Sequence, residues 1–120
     1  MTQEDKELLL KDLCARLPYG VIIQIKDWAV LDAELKIGHI NRLQINDVEL
    51  KPYLFPLSSM TDEEWEEYQK IRMIDWVHGD INGTFINAGL IVDWLNKNHF
   101  DYRGLIEKGL AIDATGLNIY

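Results

Sequence analysis

The sequence predicts an α+β fold with an N-terminal helix, a small antiparallel β-meander, two further helices and a loop-rich C-terminal tail. Apolar residues recur every three or four positions near the N terminus and again after residue 61, which is typical of helices. Between residues 21 and 45 they alternate with polar residues, which is typical of strands. With 120 residues, 48% of them hydrophobic, the chain can bury one core, so we expect a single domain over 1–120.

The first predicted element is an amphipathic helix over residues 3–16. Thr2 precedes it and can cap it, because a Thr hydroxyl accepts a hydrogen bond from a free amide of the first turn. Pro18 and Gly20 should end it. Its apolar face should lie across a sheet and consists of Leu9, Leu10, Leu13 and Leu17.

Strands are predicted for the segment that follows the first helix. Residues 21–26, 30–37 and 38–45 each read as alternating runs, and a turn at Asn46–Asp47 should precede a short strand over 48–50. Short strands with tight connections favour an antiparallel meander. The meander could close into a small SH3-like barrel.

Residues 51–59 should form an extended connector, since Pro52 and Pro56 lack an amide donor and disfavour helix before them. A helix is then predicted over about 62–73. Thr61 and Glu64 have the spacing of a capping box at its start. Its buried stripe should consist of Trp65, Tyr68 and Ile71.

The last predicted helix runs through residues 88–95, after a turn over 79–84, and Thr84 or Asn87 could cap it. Asn98 is a candidate for a left-handed helix end. The tail from residue 101 should be loop with one short strand or helical turn. Three large aromatic residues should join the helices to the sheet: Trp65, Trp76 and Trp94.

Two segments, Lys51-Pro-Tyr-Leu-Phe-Pro-Leu-Ser-Ser-Met-Thr61 and Asp93-Trp-Leu-Asn-Lys-Asn-His-Phe-Asp-Tyr-Arg-Gly-Leu-Ile-Glu-Lys-Gly-Leu-Ala111, resemble small uncharacterised proteins of gut anaerobes and their phages and prophages. The resemblance also covers residues 13–20, whereas 21–49 departs from it. It implies a phage or mobile-element context and no particular activity. The divergent segment is therefore the expected place for specificity of this individual chain.

Composition excludes several classes of function. A net charge of −8 repels nucleic-acid backbones, so we expect no direct binding to duplexes. No run approaches the roughly 18 apolar residues that span a membrane, and the charged N terminus does not resemble a signal peptide, so no membrane association is expected. The single cysteine, Cys14, fits a reducing cytoplasm and a place in or near the core.

Metal and cofactor sites are not predicted. The candidate ligands Cys14, His39, His78 and His99 stand alone, without the paired spacing of known metal motifs. No glycine-rich phosphate loop joins a strand to a helix. A phosphate pocket would require convergence of scattered cations, namely Lys51, Arg72, Lys97, Arg103 and Lys108.

Two surfaces are candidates for a protein interface. The first lies in the β-rich segment 21–49 and includes Trp28, His39 and Arg42, because aromatic and Arg side chains often dominate binding energy. The second is an acidic helix face with Glu63, Glu66 and Glu67, which could instead be a solvated face. Association of the chain with itself, as a homo-oligomer, is a further alternative.

A polar set near the C terminus, His99, Asp101, Tyr102 and Arg103, could line a pocket, with His99 as an acid or base. The same residue types also satisfy backbone groups at helix ends. No catalytic residue is assigned, and we expect a non-catalytic interaction module that binds a host or phage protein. The alternatives are a counter-defence protein that binds a nucleotide signal or inhibits a nuclease, and a small enzyme that uses His99.

Overall fold

The computed structural model describes the backbone of residues 1–45, 48–82 and 88–120, and the side chains of 1–45, 48–73 and 89–120. It confirms the α+β class. The helices are α1 (Gln3–Arg16), α2 (Ile37–Gln44), α3 (Asp62–Asn82) and α4 (Ala88–Lys97). The strands are β1 (Ile22–Lys26), β2 (Val30–Glu34), β3 (Glu49–Pro56), β4 (Phe100–Asp101) and β5 (Ile112–Asp113).

The five strands form one sheet, in which β1 pairs with β2 and β3, and β3 also pairs with β4 and β5. The β1–β2 and β1–β3 pairs are antiparallel, and the short strands β4 and β5 run parallel to β3. Within the described part of the chain, β2 pairs only with β1. The sheet therefore has an open edge at β2 and does not close into the SH3-like barrel that the sequence allowed.

Residues 38–45 were predicted as a strand, and this prediction is wrong: Ile37–Gln44 is helix α2. Neither alternate set of residues in this run is continuously apolar, so a strand here would have no face to bury. Ile40 and Leu43, three positions apart, are both buried in the core, as helical spacing requires. The amide of Lys36 donates to His39 Nδ1 at 2.9 Å, which closes the start of the helix.

The predicted connector over 51–59 is instead mostly β3, the central strand of the sheet. Pro52 is tolerated within β3 because it lies opposite Ile23. The backbone groups of Ile23 form their hydrogen bonds with β2 and not with β3. The missing amide of Pro52 therefore costs the β1 ladder no hydrogen bond. A 3₁₀ turn over Leu57–Ser59 then leads to α3.

Helix α1 begins and ends where the sequence predicted. The hydroxyl of Thr2 accepts from the amide of Asp5 at 3.0 Å. At its other end the chain leaves a 3₁₀ turn over Leu17–Tyr19 at Gly20, whose φ of +68° favours glycine. Two leucines of α1, Leu9 and Leu13, are buried in the main core with residues of β1 and β3.

The predicted start of α3 is confirmed: the Glu64 carboxylate accepts from the Thr61 amide at 2.9 Å, and the Thr61 hydroxyl accepts from the Glu64 amide at 3.2 Å. The helix continues to Asn82, so residues 79–82 of the predicted turn are helical. The rest of that turn, the turn at Asn46–Asp47 and the candidate caps Thr84 and Asn87 lie outside the described residues.

Helix α4 is confirmed, although its left-handed end is one residue later than predicted. His99 has φ of +63°, whereas the Asn98 side chain donates to the carbonyl of Trp94 at 2.9 Å. Trp94 is buried and stacks on Phe100 at 5.6 Å, so it joins the helices to the sheet as predicted.

Trp65 was predicted to be buried and is 51% exposed. The contact from α3 to α4 is made one turn further along by Tyr68, whose ring lies 5.9 Å from that of Trp94. The first turn of α3, which carries Trp65, therefore precedes the part of the helix that packs on α4. The side chain of Trp76 lies outside the described residues.

Candidate interaction surface and buried polar centre

The β1–β2 hairpin exposes three large apolar side chains within four consecutive residues. Trp28, in the loop, is 97% exposed, while Val30 and Leu31 at the start of β2 are 59% and 61% exposed. Single exposed apolar residues are ordinary, but a local group that includes an aromatic residue is typical of an interaction site. We call residues Trp28, Val30 and Leu31 the hairpin patch.

Arg42 lies beside the loop of the hairpin patch, as an ion pair shows. Its Nη2 atom is 3.0 Å from a carboxylate oxygen of Asp27, the residue before Trp28. Both side chains are partly exposed, so the pair contributes less than about 1 kcal/mol to stability. Its consequence is geometric, because it shows that Arg42 of α2 lies beside the hairpin loop that carries Trp28.

His39, the third candidate of the β-rich segment, has a structural task. Its Nδ1 accepts from the backbone at the start of α2, and the side chain is half-buried. Burial, followed by the nearby charges of Arg42 and Lys36, lowers the pKa of His39 below its ordinary value. His39 is therefore neutral at physiological pH and contributes shape rather than charge.

The acidic residues Glu63, Glu66 and Glu67 are all exposed on α3. No hydrogen bond or ion pair within the described residues involves them, whereas Glu64 between them belongs to the helix cap. This face therefore carries charge but little apolar surface apart from the half-exposed Trp65.

Asp101, from the predicted C-terminal polar set, holds a loop in place. Its carboxylate accepts from three backbone amides: those of Arg103 at 3.3 Å, Leu105 at 3.0 Å and Ile106 at 2.9 Å. The residue is buried. These amides would otherwise lack partners, so Asp101 performs the backbone-satisfying role that the sequence offered as one alternative.

Arg103 belongs to a buried ionic network with two residues of α1. Arg16 Nε and Arg103 Nε donate to the two carboxylate oxygens of Asp12 at 2.8 and 3.1 Å. Arg16 Nη2 also donates to the carbonyl of Phe100 at 2.6 Å. The side chains of Asp12 and Arg16 are fully buried. The network therefore ties α1 to the C-terminal segment.

Both guanidinium groups lie close to the ring of Tyr102, with that of Arg16 5.3 Å and that of Arg103 4.8 Å from the ring centroid. Its hydroxyl accepts from Arg103 at 3.0 Å and donates to the buried Asn96 at 2.9 Å. Burial raises the pKa of Asp12, against the two arginines that lower it. The negative charges of Asp12 and Asp101 equal in number the positive charges of Arg16 and Arg103.

Sequence reasoning missed Asp12 and Arg16, although a signal was present. Residues 9, 12, 13 and 16 share one helical face, so the pair interrupts the apolar stripe of Leu9 and Leu13. A charged pair four residues apart on a buried face indicates an internal ion pair.

His99 stacks face to face on Tyr120, with ring centroids 3.8 Å apart. Burial, assisted by the charge of Arg16, lowers the pKa of His99 to about 4. Its Nδ1 is buried, as is Nη1 of Arg16, and neither atom has a hydrogen-bond partner among the described residues. The imidazole is thus neutral near pH 7, where a general acid or base would need a pKa close to 7.

Tyr120 connects two strands through its hydroxyl, which sequence reasoning also missed. The hydroxyl accepts from the amide of Ile22 on β1 at 2.9 Å and donates to the carbonyl of Tyr53 on β3 at 2.8 Å. Burial raises its pKa to about 12, so the hydroxyl stays protonated. Two residues further along β3, on the edge that faces β1, the Phe55 amide donates to the carbonyl of His99 at 2.8 Å. This edge of β3 is therefore paired with β4 beyond the Tyr120 hydroxyl.

The cations that a phosphate pocket would need do not all meet. Lys51 and Lys108 line a surface cavity of about 540 Å³ together with the acidic Asp5 and Glu49. Arg72 lies over the ring of Tyr68, and Arg103 belongs to the buried network.

Among the described residues no group of three or more His, Cys, Asp or Glu side chains could hold a metal ion. Cys14 is exposed on α1, so it is not a core residue. It lies beside the buried stripe rather than on it.

None of the helices in the described part of the chain is long and apolar enough to cross a membrane. The chain matches no protein-family model, no curated protein and no solved structure.

Proposed function

We propose that this protein is a non-catalytic interaction module that binds a host or phage protein through the hairpin patch. The observation that carries the proposal is the nearly complete exposure of Trp28 beside two exposed aliphatic residues. Trp is among the residue types enriched at the energetic centres of protein interfaces, because it buries a large rigid area at low entropic cost.

The surroundings of Trp28 also support this function. The patch lies in the segment 21–49, where the chain departs from the proteins it resembles, and individual specificity is expected there. Arg42 stands at the edge of the patch and could contribute polar contacts around an apolar centre. The acidic face of α3 is a second surface, whose charge could steer a basic partner.

The resemblance to proteins of gut anaerobes and their phages and prophages favours an accessory role in a phage or mobile element. Action in the cytoplasm is part of the proposal. The single cysteine supports that location, because extracellular proteins of this size more often carry paired cysteines.

The other two functions receive less support. An enzyme that uses His99 would need a titrating imidazole, and the pKa of His99 is about 4. A nucleotide-binding counter-defence protein would need convergent cations, and Arg103 is already paired with Asp12. Inhibition of a nuclease through the acidic α3 face is compatible with the proposed interaction function.

The test is affinity capture from a lysate of gut anaerobes, treated with nuclease, with wild-type protein, Trp28→Ala and Met73→Ala as baits. Met73 is the matched control, since it is an apolar residue of α3 with 65% exposure. We expect wild type and Met73→Ala to retain one protein in stoichiometric amount and Trp28→Ala to lose at least nine-tenths of it, because a central aromatic anchor contributes about 2 kcal/mol or more.

Equal retention by all three baits would overturn the proposal, as would retention of nothing. Circular dichroism of each bait provides the folding control. A folded Trp28→Ala bait that fails to capture the protein assigns the loss to the contact and not to unfolding.

A further inference from the structure

We infer that the partner adds an extended basic segment as a new strand along the free edge of β2. This inference rests on the proposed function and specifies the chemistry of its partner. It follows from the direction of the backbone groups of β2 and from the charges beside them.

The hydrogen-bonded pairs of the hairpin identify which backbone groups point outward. The amide of Leu35 donates to the opposite carbonyl of Val21 at 2.9 Å, and that of Asp27 to the opposite carbonyl of Ala29 at 3.1 Å. In antiparallel ladders such pairs recur at every second residue. Odd-numbered residues of β2 therefore bond to β1.

The even-numbered residues Val30, Asp32 and Glu34 consequently direct their amides and carbonyls away from β1. Within the described ranges no hydrogen bond reaches these six backbone groups. Unpaired groups in a row on an edge strand are a template for another strand. An arriving segment would form up to six main-chain hydrogen bonds there.

The side chains of the edge specify the composition of that segment. Asp32 and Glu34 place two carboxylates on one face of β2, while Leu31 lies on the other face. Glu34 forms an exposed ion pair with Lys36 at 2.8 Å, which an arriving basic residue would share or replace. Side chains directly opposite in paired strands lie about 5 Å apart, and opposite charges stabilise such a pair. A segment with basic residues opposite Asp32 and Glu34 and apolar residues opposite Leu31, Ala33 and Val30 therefore fits this edge.

A second copy of the chain fits the same edge poorly. Symmetric antiparallel pairing through the outward groups would place Val30 of each copy opposite Glu34 of the other. The two Asp32 carboxylates would then face each other at the two-fold axis, where like charges are destabilising. The edge chemistry favours a different, basic chain.

The probe is a capped peptide with the core Lys-Val-Lys-Val-Val, and the matched control has Glu in place of both Lys. We expect the Lys peptide to shift the amide NMR signals of Val30, Asp32 and Glu34 and to slow their hydrogen exchange. The Glu peptide should bind at least fivefold more weakly. Absence of any effect of the Lys peptide on these amides would overturn the inference.

Two variants test the edge in the protein. Asp32→Asn keeps an acceptor for the Tyr53 hydroxyl, which now lies 2.7 Å from Asp32, and should weaken the Lys peptide roughly two- to fivefold. Val30→Pro removes an outward amide without removing a bond to β1, and should weaken the peptide at least as much. Unchanged binding by both variants would contradict strand addition.

The failure of this inference can be told apart from the failure of the proposed function. If Trp28→Ala loses the captured protein while Val30→Pro and Asp32→Asn retain it, the patch binds without strand addition, and the two acids serve only to keep the edge soluble. If Trp28→Ala also retains the captured protein, the proposed function itself is overturned.

Discussion

Asp12, Arg16 and Arg103 show at the scale of single residues why a charged network in this protein is structural. Burying charges is costly, and here each carboxylate oxygen of Asp12 receives a guanidinium donor. The network connects α1 to residues about ninety positions later in the chain, so its loss should affect global stability rather than a local site.

Replacing Arg16 by Met retains most of the side-chain volume but leaves Asp12 with one partner. We expect a loss of about 3 to 5 kcal/mol in the free energy of unfolding, because removal of one member of a buried pair leaves an uncompensated charge. Urea denaturation measures it. The double variant with Asp12→Asn should lose clearly less than the sum of the single losses, and simple additivity would contradict the coupling.

His99 should make stability depend on pH. An unfolded histidine titrates near 6.5, and the folded pKa is about 4. Between these values the unfolded chain binds more protons, so the free energy of unfolding falls as the pH falls through this window. After allowance for partial exposure, the loss from pH 6.5 to 4 is about 2 kcal/mol.

The control is His99→Asn, since Asn tolerates the positive φ of this position and does not titrate. Carboxylates and His39 contribute equally to both proteins, so the difference between the two pH profiles isolates His99. Parallel profiles between pH 4 and 6.5 would show that the folded pKa is not lowered.

The Tyr120 hydroxyl matters at the scale of elements because it stands between β1 and β3 where a direct backbone bond would otherwise form. We expect Tyr120→Phe to lose about 1 kcal/mol in the free energy of unfolding, because the Ile22 amide and the Tyr53 carbonyl lose their shared partner while the ring stacking can persist. Denaturant unfolding measures this, and hydrogen exchange should accelerate at the Ile22 amide. Unchanged exchange at Ile22 would contradict the bridge.

Elements set by local interactions were predicted correctly from the sequence, and elements set by tertiary packing were not. Local signals such as the Thr2 cap and the Thr61–Glu64 capping box predicted where α1 and α3 begin. Helix α2 was missed because it has few apolar residues and their spacing does not distinguish a helix from a strand. Only the burial of both Ile40 and Leu43 in the folded protein shows the helical spacing. The central position of β3 was missed because its two prolines argue against a strand. Whether Pro52 is tolerated depends on its register against β1, which the sequence does not show.

The candidate sites divided in the same way. Trp28 was a candidate because of its residue type and its place in the segment 21–49, whereas the buried network required knowledge of which helical face meets the C-terminal segment. The contact of Tyr120 with β1 joins residues far apart in the chain, and no local pattern encodes it.

At the scale of the whole molecule, three polar side chains near the C terminus are occupied by internal bonds, while the hairpin leaves apolar side chains exposed and backbone groups without a partner among the described residues. Asp101, Tyr102 and Arg103 hold the fold together. Trp28, Val30 and Leu31 contribute little to the core. We therefore propose that stability and partner binding depend on different parts of the molecule.

Site-specific photo-crosslinking tests this division most directly. We would place p-benzoylphenylalanine at position 28 and, in a matched bait, at position 73, and irradiate both in nuclease-treated lysate of gut anaerobes. The account predicts one discrete protein adduct from position 28 and none of that mass from position 73. An adduct from position 73 alone, or the same adducts from both positions, would contradict it.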